Sequence, residues 1–101
     1  MKLVWTRQAT TGWQEAADYI FKEFGEKALL DFIERTRQTE EAIFAMPAAG
    51  SVEWDDSDET TIYRFRLINR RSKMLYFIEK NTIYIADFWD VRIPREKSLQ
   101  H

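Results

Sequence analysis

The 101-residue sequence contains no cysteine, which removes disulfide frameworks, Cys-ligated zinc and thiol nucleophiles at once. Its one histidine is His101, at a chain end where a fixed catalytic geometry is not expected, so histidine acid/base chemistry and histidine metal sites are set aside. Glycine and proline number only three and two, so each reads as punctuation between elements. No apolar run approaches the roughly 20 residues that span a bilayer. The opening Met1-Lys2-Leu3-Val4-Trp5-Thr6 lacks the apolar stretch of a signal peptide, and the expectation is a cytoplasmic protein without a membrane partner. The acidic run Asp55-Asp56-Ser57-Asp58-Glu59 lacks the central Gly and bidentate Glu of an EF-hand loop. Neither a metal nor a small-molecule cofactor is expected.

Aromatic residues, by contrast, are abundant. Four Trp, four Tyr and seven Phe, each able to bury roughly 150 to 250 Å², support one self-sufficient domain over residues 1–101. Charge is unevenly distributed. Residues 64 to 97 hold nine Lys/Arg against four Asp/Glu, and the remainder holds six against thirteen. A near-neutral chain thus carries a basic C-terminal third, which points either to a polyanionic partner or only to where solvated side chains fall.

Hydrophobic periodicity sets the element order. Lys2 to Trp5 is a short strand candidate, and Thr6 is a good N-cap for a helix beginning at Arg7. From Arg7 to Phe24, Ala9, Trp13, Ala16, Ala17, Ile20, Phe21 and Phe24 recur at helical spacing. Gly12 is the weak point of that helix, which allows the regular part to begin late. Gly25 suits a C-terminal cap. A second helix from Glu26 to Met46 comes after so short a connection that the two form an antiparallel hairpin, and Pro47 ends it. Residues 48 to 60 read as irregular. Trp13, Phe24 and Phe32 read as helix core.

From Thr61 the period becomes two: Tyr63, Phe65 and Leu67 alternate with Arg64 and Arg66. Two further strands, Lys73 to Glu79 and Thr82 to Trp89, flank Lys80-Asn81, a pair suited to a two-residue hairpin loop. That turn sets Glu79 opposite Thr82, Phe77 opposite Tyr84 and Lys73 opposite Phe88 on one face, with Tyr76, Ile78, Ile83 and Ile85 on the other. Both faces are therefore largely apolar, and the helices can cover only one. The architecture expected is a two-layer α+β domain of order β-α-α-β-β-β, a helical hairpin packed on an antiparallel sheet.

This order, with Val4-Trp5-Thr6 at the start, Ala9 and Ala28 early in the helices, Pro47 and Gly50 after them, and a last strand closing in Trp89-Asp90-Val91-Arg92-Ile93-Pro94, resembles the RelE/ParE superfamily, the toxins of bacterial type II toxin-antitoxin pairs. The resemblance spans essentially the whole chain. It implies a cognate antitoxin that wraps the toxin with a helical segment and fills an apolar groove or sheet face. It also implies one of two targets: ribosome-bound mRNA, which RelE-like members cleave, or DNA gyrase, which ParE-like members poison. For the first activity it implies basic residues on one sheet face: Arg64 and Arg66 for the pair on one strand, Lys73 at the start of the next, Arg92 after the last, and a Tyr in the tail. The tail here, Glu96-Lys97-Ser98-Leu99-Gln100-His101, has no Tyr, and the closing Asp90-Val91-Arg92-Ile93-Pro94 is more similar to members described as ParE-like or plasmid-stabilisation proteins.

Cleavage by 2′-hydroxyl attack needs charge stabilisation at phosphate, which guanidinium forks supply. It also needs proton transfer, which arginine does not supply; Lys73, Glu79, Asp90 or a ribosomal group would have to. Each residue has a plainer reading. Arg64 and Arg66 fit the wet side of a strand, Lys73 a charge guarding a strand edge, and Arg92 with Asp90 a surface pair worth under ~1 kcal/mol. Arg70 and Arg71 read as solvated turn residues, and Trp89 reads as closing the core rather than stacking on a base. A non-catalytic interaction module that keeps the toxin fold is the competing class.

Overall fold

A computed structural model describes residues 1–56 and 61–93, with backbone alone for 54–56. The acidic run at 57–59 and the tail 94–101, where the resemblance implies a Tyr, lie outside the described residues. The elements are β1 (Lys2–Trp5), α1 (Arg7–Phe24), α2 (Glu26–Ala45), a short 3-10 turn (Pro47–Ala49), β2 (Ser51–Asp56), β3 (Thr61–Leu67), β4 (Ser72–Glu79) and β5 (Thr82–Asp90). They build one five-stranded sheet of order β1-β5-β4-β3-β2, in which only the β1 and β5 pair is parallel. The helical hairpin packs on one face, so the two-layer α+β expectation holds with one strand more than the periodicity shows. That strand is β2. Its Ser51-Val52-Glu53-Trp54-Asp55-Asp56 is too polar to read as a strand alone, and it forms because the edge of β3 offers unpaired backbone groups.

Local signals hold at the caps. Thr6 accepts the Ala9 N–H at 3.2 Å, and Gly25, at φ 92°, ends α1 and opens α2 in a conformation that a Cβ disfavours. Lys80 and Asn81 both have positive φ, 48° and 64°, as a tight type I′ hairpin requires. Gly12 does not delay the helix. α1 is regular from Arg7, and Gly12 sits where α1 nearly touches β5: a Cβ there would lie 1.9 Å from the Phe88 carbonyl oxygen. Fully buried Ala9 and Ala16, and nearly buried Ala17, line the same small-residue side of α1.

The register of β4 and β5 departs from the expectation at one residue. Phe77 faces Tyr84 and Glu79 faces Thr82 as expected, but Leu75 faces Asp87 while Tyr76 faces Ile85, so Ala86 is an extra, bulged residue. Beyond the bulge every side chain changes face relative to simple alternation. Lys73 is opposite Trp89, not Phe88, and Phe88 turns to the helices. The bulge also frees carbonyls for the helix start: Thr6 Oγ1 lies 3.0 and 3.1 Å from the Ile85 and Ala86 oxygens, and the Thr6 N–H donates to Ile85 at 3.0 Å.

The core lies between the layers and joins Ile20, Phe32, Ile43, Met74, Tyr76, Ile83, Ile85 and Phe88. Phe32 meets Phe88 edge-on at 5.7 Å and stacks with Trp13 at 5.4 Å. Buried Thr36 is satisfied by the Trp13 indole at 2.9 Å and by donating to the Phe32 carbonyl. Phe24, expected in this core, is instead 56% exposed near the hairpin tip. Among the described residues no helix is long and apolar enough to cross a membrane.

Tyr76 ties the sheet to the end of α2. Fully buried, it donates from its hydroxyl to the Pro47 carbonyl at 2.5 Å and accepts the Gly50 N–H at 3.2 Å. A Cβ at Gly50 would sit 2.2 Å from that hydroxyl. Tyr76→Phe should cost about 2 kcal/mol, because a buried N–H and a half-buried carbonyl both lose their partner. Urea unfolding measures this; a midpoint unchanged from the parent would refute the lock.

Candidate functional site

Residues directly opposite in a sheet point to the same side, so the pairings place each expected basic residue on a face. Arg64 pairs with Tyr76 and Arg66 with Met74, which puts both arginines on the side that carries the helices. Arg64 Nη1 donates to the Gly50 carbonyl at 2.9 Å and thereby braces the Pro47–Gly50 turn that Tyr76 also holds. The Nε of Arg66 is buried without a hydrogen-bond partner.

Lys73 lies on the opposite, open face. Its ammonium is 2.6 Å from Glu53 of β2, 4.0 Å from the centre of the Phe65 ring and 5.4 Å from that of Trp89. Carboxylate and rings together confine the charge in a half-buried cage. Along the same face run Tyr63, Phe77 and Tyr84, with ring centres 5.3 and 5.1 Å apart in turn. Trp89 belongs to this aromatic row rather than to the core between the layers.

Arg92 follows β5 and turns back against α1. Nε and Nη2 donate to the Asp90 carboxylate at 2.8 and 2.5 Å, and the Arg92 backbone N–H donates to it at 2.9 Å. The Ser72 hydroxyl adds a fourth bond at 3.2 Å. The guanidinium lies 5.1 Å from the Tyr19 ring centre and 5.2 Å from that of Phe24. Asp90 is 1% exposed, so the pair is a buried junction and not the surface pair its spacing suggests. Burial pushes the Asp90 carboxyl upward, but the bonds from the Arg92 side chain and backbone, the Arg92 charge and the Ser72 hydroxyl outweigh it and hold the pKa below the usual value. Hydrogen bonding to Asp90 raises Arg92 in turn.

The four basic residues therefore do not converge. Arg64 and Arg66 share one face, Lys73 lies across the sheet, and Arg92 is locked to Asp90. Glu53, Tyr19 and Phe24, which position two of the four, carry no local signal of that role, because each contact crosses the chain. A shallow groove of about 460 Å³ between β1 and α2 is lined by Leu3, Arg37, Glu40, Glu41, Phe44 and Ala45. Its charges are already partnered: Glu40 accepts the Trp5 indole at 2.8 Å, and Arg37 pairs with Glu34 and Glu41. It assembles no acid/base pair.

Solved structures share this fold. A chain of the chromosomal ParDE TA system from P. aeruginosa superposes with a TM-score of 0.71 at 16% identity, over 90% of this chain and 96% of that one. The fold is that of the ParE/YoeB toxins. The YoeB/ParE toxin from Agrobacterium tumefaciens matches at TM-score 0.58 and 15% identity, over 89% of this chain and 98% of that one. A YoeB dimer structure from Staphylococcus aureus matches at 0.55 and 21%, over 86% and 92%. No family model and no curated protein matches the sequence. On the ParE/YoeB fold, Lys73 and the aromatic row occupy the helix-free side of the sheet, whereas Arg64 and Arg66 emerge beside the helical layer.

Proposed function

We propose that the chain is the toxin half of a type II toxin-antitoxin pair, held inactive by a cognate antitoxin and inhibiting bacterial growth when released. The observation that carries this reading is the fold match to the ParDE chain, which spans nearly all of both molecules. Exposed Phe21, Phe24 and Leu30 on the helices, each more than half accessible, supply apolar surface of the kind a partner covers.

Of the two targets, DNA gyrase is favoured over ribosome-bound mRNA. Cleavage of RNA asks several cations to meet at one phosphate. A site of Arg64, Arg66, Lys73 and Arg92 would have to draw from both faces of the sheet and break the Asp90–Arg92 pair. Poisoning a protein target asks only for a complementary surface.

Induced expression of the chain alone should stop colony formation. The purified protein should block gyrase supercoiling and leave mRNA intact in a purified translation mix. Codon-specific cleavage that disappears in the Arg64→Ala/Arg92→Ala variant would overturn the gyrase assignment in favour of an endoribonuclease. Unchanged growth on induction would overturn the toxin reading and leave the non-catalytic interaction module.

A further inference from the structure

The cation on the open face of the sheet already has an occupant. The Lys73 ammonium lies 2.6 Å from the Glu53 carboxylate, with the Phe65 ring centre 4.0 Å and the Trp89 ring centre 5.4 Å away. Glu53 owes its position to an irregularity in β2. By simple alternation from Ser51, which is opposite Phe65, Glu53 would stand opposite Tyr63; Trp54 takes that place instead, and Glu53 is the extra residue of a bulge. Bulges re-aim side chains in this way. The strand itself does not depend on the ion pair. Its ladder to β3 continues on both sides of Glu53, and Arg64 anchors its start through the Gly50 carbonyl. Glu53 can therefore swing away while β2 stays paired. The Lys73 and Glu53 side chains are 20% and 25% exposed, and an ion pair within reach of water gives up its partner at little cost.

We propose that Glu53 is the built-in occupant of a carboxylate-binding site, which Lys73, Phe65 and Trp89 present to an acidic side chain of the target protein once Glu53 is displaced. The inference rests on the gyrase reading and names the surface that meets the target and the contact that masks it. The seated Glu53 shows which chemistry the cage takes: a carboxylate at the ammonium, with rings at its flanks. Tyr63, Phe77 and Tyr84 continue along the same face and supply half-buried aromatic contact area. Aromatic residues around one shielded charge pair are the usual centre of a protein interface. Masking adds specificity, because a carboxylate alone gains nothing by replacing Glu53, whereas a partner that also covers the rings does.

The test is inhibition of gyrase supercoiling by the purified chain, scored as the concentration for half inhibition, with the thermal midpoint of each variant measured alongside. Glu53→Gln removes the competing carboxylate and should lower that concentration about tenfold, whereas Lys73→Met should raise it at least about tenfold. Lys27→Met, which removes the same charge from an exposed position on α2, should leave it unchanged. The double variant Glu53→Lys/Lys73→Glu separates binding from fastening. It rebuilds the ion pair with reversed polarity, so the midpoint should stay near the parent value while inhibition weakens at least about tenfold. A reversed pair that inhibits like the wild type, or a Glu53→Gln protein no more potent than the wild type, would overturn the masked site while the gyrase reading stands. A wild-type chain without effect on gyrase would remove both. A single-stranded RNA oligonucleotide that binds Glu53→Gln but not Glu53→Gln/Lys73→Met would make the cage a phosphate site and also overturn the proposal.

Discussion

Replacing Gly12 by alanine is expected to destabilise the protein by about 3 kcal/mol, even though alanine is the better helix former. Within the helix alone the change would gain about 1 kcal/mol. Against it stands a contact of 1.9 Å between the new Cβ and the Phe88 carbonyl oxygen, part of the β5 backbone and unable to rotate away. To restore an ordinary separation α1 must move off the sheet by more than an ångström, which loosens Ala9, Ala16, Ala17 and Ile20 together. Overpacking wins because it is shared by a whole interface. Thermal unfolding should show a midpoint lower by on the order of 15 °C. A Gly12→Ala protein that melts at or above the parent temperature would mean that α1 does not approach β5 this closely.

Asp90→Ala should cost about as much, roughly 3 kcal/mol or more, by leaving one member of a buried pair behind. The Arg92 guanidinium would keep its place over Tyr19 and Phe24 but lose the carboxylate that neutralises it, and Ser72 would lose its acceptor. Asp90→Asn keeps the shape without the charge and should lose about half as much. The double variant Asp90→Ala/Arg92→Ala should lose less than the two single variants combined, since the second change removes the stranded charge.

The same pair sets an acid response. The Asp90 carboxyl is held below its unfolded value of roughly 3.9, so its contribution is complete above that pH and disappears as pH falls through the lower, folded value. Stability should therefore drop on acidification below about pH 4, and Asp90→Asn should flatten that part of the profile. Equal slopes in parent and variant below pH 4 would show that other carboxylates govern the response.

Which features were legible depends on the range of the forces that make them. Thr6, Gly25, Pro47 and the Lys80-Asn81 turn act on neighbours in the chain, and all four do what their chemistry predicts. Phe77 against Tyr84 results from the turn, because no residue intervenes to shift the register. Lys73 against Phe88 fails, because one extra residue at Ala86 reverses the faces beyond it, and alanine carries no bulge signal. Strand β2 was hidden for a related reason: its stability comes from the neighbour it pairs with, not from its own composition.

The candidate site was the least legible part. Identity and order of Arg64, Arg66, Lys73 and Arg92 are sequence properties, and so is the likeness to a toxin superfamily that they help carry. Their destinations are not. Arg64 and Arg66 face the helices through their pairing with Tyr76 and Met74. Lys73 meets Glu53 only because β2 returns to the sheet. Asp90 and Arg92 are two residues apart, yet their pair is strong only because α1 and Ser72 exclude water from it. The sequence alone therefore determined the two helices and their caps, strands β1, β3, β4 and β5, and the hairpin turn between the last two, all products of contacts within a few residues. Only the tertiary structure decided which face each charge occupies and which charges are already paired, because register, bulge and burial depend on segments distant along the chain.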